Sequence, residues 1–167
     1  MLPPRAQNDN TSPLPEGLDR LSRHISANDF PGAIRLCRDL IRETPNNPLL
    51  HNIMGVAQAQ LGQTTVAIKA LRRAVEIEPY YAEAIGNLIA LLIKDNQHTE
   101  TKPYVLKALE LEPHNLGLRQ ILAEVLFAED NPQGAREQAN MILLQQPGDA
   151  NAKRIKDLAN KALEQRG

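Results

Sequence analysis

The chain has one cysteine, no tryptophan, and only three tyrosines and two phenylalanines as its other aromatic residues. A single Cys37 excludes an internal disulfide, and the scarcity of aromatics leaves the core to leucine, isoleucine, valine and alanine. Net charge is also missing: 19 basic residues face 20 acidic ones, so nothing pulls the chain generally towards nucleic acid or an anionic membrane. No apolar run approaches the length needed to span a bilayer. The nine glycines sit mostly at turns and helix-packing positions, with no phosphate-binding loop and no nucleophile elbow among them. His24, His51, His98 and His114 fall in different elements and share no ligand spacing with Cys, Asp or Glu. Neither a cofactor, a metal nor catalysis is expected.

What is present is periodicity. Residues 48–81 read as two antiparallel helices joined by a turn. Leu50, Ile53, Met54, Ala57 and Leu61 fall at helical spacing, and Val66, Ala67, Ala70, Leu71, Ala74 and Val75 do so after a break at Gly62, Gln63, Thr64 and Thr65. Asn47 and Pro48 have the chemistry of a helix start, and Pro79 that of a stop. A pair of helices of about 14 residues each is marginal by itself.

The pair recurs. Pro45, Pro79, Pro113 and Pro147 stand 34 residues apart. Ala33, Ala67, Thr101 and Ala135 keep that register, as do Leu40, Ala74, Ala108 and Ile142, and Cys37, Leu71, Val105 and Ala139. The company Cys37 keeps in its column makes it a buried structural thiol. Elements that recur in this way bury their faces on their neighbours, so a long thin aliphatic core is sufficient.

The pattern resembles the tetratricopeptide repeat family. The second-helix signature is met by Ala67, Leu71, Ala74 and Pro79, by Thr101, Val105, Ala108 and Pro113, and by Ala135, Ala139, Ile142 and Pro147. In the first-helix signature of residues 48–81 only Gly55 is kept to the letter, with His51, Met54 and Gln58 in the other places. Residues 14–47 match least, with Gly17, Arg20, Leu21 and His24 in their first helix. The resemblance implies an all-α, right-handed α-solenoid of antiparallel helix pairs. Residues 1–13 form a disordered lead without the apolar core of a secretory signal, hence an expected cytoplasmic location. Repeats follow at 14–47, 48–81, 82–115 and 116–149, and a capping helix at 150–167.

In order along the chain, Asp29 is placed to cap a helix, and the arginines of the first repeat are matched by Glu16, Asp19, Asp29, Asp39 and Glu43, which makes a solvated face with internal ion pairs. The helix from Ala82 is apolar almost all round. Leu88, Ile89, Leu91 and Leu92 belong to the core, while Ala90 and Ile93 stand between core edge and binding surface. Pro103 conflicts with a helix begun at Thr99, so that helix is expected to start near Lys102 or to bend. Asn131 caps a helix with Pro132 in its first turn, and Asp149 caps the last helix.

The resemblance places function in a concave groove lined by the first helices, which takes an extended peptide or a helix. The residues turned away from the core stripe are Leu49, Asn52, Val56, Ala59, Glu83, Asn87, Ala90, Ile93, Gln120, Glu124 and Phe127, with Gly86 among them. Their amides can pair with a peptide backbone and their small apolar side chains leave room for a ligand. Family members that bind acidic chaperone tails carry a clamp of lysine, arginine and asparagine. Here only Asn87 conforms, with Leu18, Ser22, Gly117 and Ile121 in the other places, so binding to such tails should be weak or absent. The leading expectation is a non-enzymatic adaptor or scaffold binding a protein or peptide segment, without nucleic acid or membrane insertion. Two alternatives stand beside it. One is a regulatory or substrate-presenting region of a larger enzyme, since similar arrays precede bacterial sulfotransferase and glycosyltransferase domains. The other is a homo-oligomer assembled through the basic last helix.

Overall fold

The structure, a computed structural model, describes residues 13–166. The expected lead falls outside them apart from the backbone of Pro13, which opens the first helix. Among the described residues nine helices follow one another: α1 (Pro13–Ser26), α2 (Phe30–Glu43), α3 (Pro48–Gln60), α4 (Thr64–Ile77), α5 (Ala82–Lys94), α6 (His98–Leu111), α7 (Leu116–Ala128), α8 (Pro132–Gln145) and α9 (Ala150–Glu164).

Local chemistry starts and stops these helices. Asp29 Oδ1 accepts from the Gly32 amide at 2.9 Å, Asn131 Oδ1 from Gly134 at 3.0 Å and Asp149 Oδ1 from Ala152 at 2.7 Å. Asn47 takes the amides of Leu49 and Leu50, with Pro48 in the first turn of α3. Each occupies an amide that the helix itself leaves free. Within each hairpin the chain turns through one left-handed residue: Asn28 (φ 54°), Gly62 (φ 72°), Asn96 (φ 56°) and Asp130 (φ 60°). These four are again 34 residues apart, and they are residue types that tolerate that conformation.

Two expectations about boundaries are corrected. Thr64 and Thr65 lie inside α4, so the turn is Leu61–Gln63. The helix carrying Pro103 does not start late; α6 begins at His98 and passes through the proline. Pro103 and Thr99 both lie on the exposed face, where water can serve the Thr99 carbonyl that the proline lacks an amide to meet. On the buried face the Thr101 hydroxyl donates to the Gln97 carbonyl at 2.7 Å and holds the first turn.

Every helix packs on the next in sequence. In addition α3 touches α5 and α7 touches α9, whereas no two even-numbered helices make comparable contact. Where alternate helices meet, they are odd-numbered pairs, and the face of the stack that α3, α5, α7 and α9 share is taken as its inner face. Intimacy within a hairpin depends on Gly55, where an added Cβ would lie 2.7 Å from Leu71 Cγ and 3.1 Å from the Ala67 carbonyl oxygen.

The core is aliphatic and in two parts. One cluster joins Leu21, Ala33, Cys37 and Leu40 to Leu50 and Ala57; the other runs from Ile68 and Leu71 through Leu88, Leu92 and Val105 to Ile142 and Ile155. Between them α3 buries three polar side chains, His51, Asn52 and Gln58. His51 Nε2 bonds to the Pro45 carbonyl at 3.0 Å. At the ends the same columns turn charged. Glu16, Arg20 and Arg23 are exposed on α1, 34 residues before Leu50, Met54 and Ala57, and Lys153 and Asp157 are exposed on α9. Charge at both ends lets the stack finish in water.

Candidate functional site

The inner face is built by α3, α5 and α7, and the residues expected there divide by exposure. Glu83, Ala90 and Glu124 are exposed, while Leu49, Val56, Ala59, Asn87, Ile93, Gln120 and Phe127 are half-buried. Ile93 and Phe127 pack against the core, so of the pair left open above Ala90 faces outward and Ile93 bridges core and surface. Gly86 lies one turn before Ala90, and a Cβ there would meet nothing within 4 Å. Asn52 differs from all of these: it is 1% exposed, and its amide is already engaged.

Asn52 is the centre of a cluster that locks α3 to α5. Its Nδ2 donates to Glu83 Oε1 at 3.0 Å and reaches the Tyr81 hydroxyl oxygen at 3.4 Å. The Tyr81 hydroxyl donates to Glu83 Oε2 at 3.3 Å, and Asn87 Nδ2 donates to Asn52 Oδ1 at 3.0 Å. An ionised carboxylate only accepts, so Glu83 dictates which end of the Asn52 amide faces it. Asn52 in turn presents its oxygen to Asn87, and Asn87 is left with its own oxygen and one N–H to offer. Burial, and then the neighbouring Glu83 carboxylate, push the Tyr81 phenol above its ordinary range and keep it a donor.

Two members of this cluster, Tyr81 and Asn87, break the repeat. Tyr81 stands where Asn47, Asn115 and Asp149 cap their helices, and α5 has no side-chain cap. Asn87 stands where α3, α7 and α9 carry Ile53, Ile121 and Ile155 and only the terminal helix α1 has a polar residue, Asp19; Asn52 lies in a column of no fixed type, with Leu18, Gly86, Gln120 and Arg154. A cap is worth about 1 kcal/mol, and a polar group in an apolar column has to be hydrogen-bonded to be tolerated. Positions that give up local stability together are those at which function is looked for. The missing cap at Tyr81 was visible in the sequence; its convergence with Asn52, Glu83 and Asn87 was not.

Elsewhere on the face Gln120 Nε2 donates to Glu124 Oε1 at 2.9 Å, and Arg154 of α9 stands 4.0 Å from the same carboxylate, with both partners well exposed. Among the described residues no group of three or more His, Cys, Asp or Glu is placed to hold a metal ion, and no helix is long and apolar enough to cross a membrane. Burial pushes the Cys37 thiol up to about 12, as befits a packed side chain remote from this face.

Helical hairpins stacked in register around an inner face define an α-solenoid. Residues 92–158 match the family model described as tetratricopeptide repeat. That segment carries the tetratricopeptide repeat pattern, and the helices before it pack in neighbouring pairs of the same kind. Among solved structures it is similar to MamA AMB-1 (TM-score 0.75, 16% identity, covering 89% of this chain and 81% of that one). It is likewise similar to MamA 41-end from Desulfovibrio magneticus RS-1 (TM-score 0.70, 16% identity, 90% and 91% covered). A further MamA protein structure gives a TM-score of 0.70 at 21% identity, with 90% and 87% covered. At these identities the likeness is one of fold. The repeat match and the fold together support a protein-interaction scaffold role.

Proposed function

We propose that the chain is a non-enzymatic adaptor that binds a segment of a partner protein along the inner face of α3, α5 and α7. The observation that carries this reading is the Asn52–Tyr81–Glu83–Asn87 cluster, where α5 gives up a helix cap at Tyr81 and an isoleucine place at Asn87, and both side chains join a polar network with Asn52 of α3. Beside it Gly86 and Ala90 form a smooth track on α5, and the half-buried Val56, Ala59, Ile93 and Phe127 offer apolar contact on either side. Such a mixture suits a segment that pairs its backbone with amides and seats small apolar side chains.

Affinity capture from the native lysate tests the reading, comparing the unaltered chain with an Asn87→Arg, Ala90→Glu double variant of unchanged helicity. A partner held by the first and lost by the second supports the inner face as the working surface. Identical capture profiles from the two chains refute it. Because the face lacks the cations of a carboxylate clamp, acidic chaperone tails are expected to bind weakly or not at all, and micromolar affinity for one would contradict that.

A further inference from the structure

The Glu83 carboxylate is held in place by neutral groups alone. Asn52 Nδ2 reaches one oxygen at 3.0 Å and the Tyr81 hydroxyl the other at 3.3 Å. Among the described residues no lysine, arginine or histidine pairs with it. Lys94 of the same helix lies eleven residues away, about 16 Å along α5. The Glu83 carboxylate thus has no cationic partner and is fixed in direction by a buried amide and a partly buried phenol, on an exposed side chain. A glutamate in the first turn of a helix is favourable in itself through the helix dipole. That benefit needs neither a buried asparagine on the neighbouring helix nor a tyrosine in place of a cap, and the structure supplies both.

Resting on the inner-face reading above, we propose that Glu83 is the specificity-determining residue of that face and receives the guanidinium or ammonium group of an arginine or lysine in the bound segment. Asn52 and Tyr81 are positioning residues that hold the carboxylate. Each carboxylate oxygen has spare acceptor capacity after its neutral donor is counted, and a guanidinium fork matches the two oxygens together. The open track at Gly86 and Ala90 admits the stem of a long side chain and a small neighbour beside it. A second carboxylate, Glu124 on α7, has its nearest cation, Arg154, only at 4.0 Å, so the face as a whole favours a basic segment over an acidic one.

Panning a phage-displayed library of random 12-residue peptides on the wild-type chain, Glu83→Gln and Glu83→Lys tests the assignment, with Ala90→Glu marking which peptides sit on the inner face. Wild-type selections are expected to be rich in arginine and lysine. Individual peptides should bind Glu83→Gln about tenfold more weakly, one charge-assisted contact being worth about that factor. Glu83→Lys should enrich acidic residues instead. Replacing the key arginine of a selected peptide by citrulline, which keeps the shape and removes the charge, should reproduce the loss on the unaltered protein and so does not depend on how a variant folds. Peptides that are lost on Ala90→Glu but carry no basic bias, or are indifferent to Glu83→Gln and to citrulline, overturn the role of Glu83 while the inner face stands. A library that yields no peptide sensitive to Ala90→Glu overturns the inner-face reading and this assignment with it.

Discussion

Two glycines on corresponding first helices, exchanged for the same residue, should move stability in opposite directions. At Gly55 a new Cβ would lie 2.7 Å from Leu71 Cγ, 3.0 Å from its Cδ2 and 3.1 Å from the Ala67 carbonyl oxygen. Leu71 and Ala67 are both fully buried, so neither the branch point of the leucine nor the α4 backbone can yield cheaply. Overpacking of this kind costs about 1–3 kcal/mol, against about 1 kcal/mol gained by removing a mid-helix glycine. Gly55→Ala is therefore expected to destabilise by up to about 2 kcal/mol, the loss being the larger of the two terms. At Gly86 nothing lies within 4 Å, so only the propensity term remains and Gly86→Ala should stabilise by about 0.5–1 kcal/mol. Urea unfolding followed by circular dichroism reads both, and thermal midpoints should move by about 2–4 °C per kcal/mol. A Gly55→Ala variant as stable as Gly86→Ala would refute the close approach of α3 and α4.

Gln58 is 2% exposed, and its Oε1 is buried without a hydrogen-bond partner. Gln58→Met, which keeps the length and removes the unmet acceptor, should raise the unfolding midpoint by the equivalent of about 1–2 kcal/mol, and a lower midpoint would mean that the amide is satisfied after all. Cys37, with its thiol pushed up to about 12, should resist a thiol reagent at pH 8 in the folded chain and react fully in denaturant. Since the folded value lies above the unfolded one, the thiol's contribution to stability is intact below the unfolded value and fades as pH rises towards 12. Rapid labelling of native protein would contradict that burial.

Much of the fold could be read without coordinates because a 34-residue period makes each helix evidence for the others. The capping residues Asp29, Asn47, Asn131 and Asp149 act as their types and places predicted, since a cap depends only on amides two or three residues away. The left-handed column Asn28, Gly62, Asn96 and Asp130 was equally legible by type and spacing, and it would have placed the turn before Thr64. Pro103 misled because its cost is set by what surrounds it. A proline on the wet side of α6 forfeits a bond that water can replace, and the buried columns at Thr101, Val105 and Ala108, which leave Pro103 on the opposite side, were the signal for it.

The inner face was less legible. Spacing placed Asn52 with Val56 and Ala59 on one side of α3, yet Asn52 is buried and bound to α5. Its partners Glu83 and Asn87 are 31 and 35 residues away, near the repeat length, because the period carries residues of one helix onto the next. The sequence by itself determined the order of the helices, most of their caps, the aliphatic columns and the charged ends, all of which follow from short-range chemistry repeated at one interval. Only the tertiary structure decided that α3 and α5 approach closely enough for an asparagine, a tyrosine and a glutamate to share hydrogen bonds. The distance between two packed helices is set by the volumes of every side chain between them, and no single column of the repeat encodes that sum.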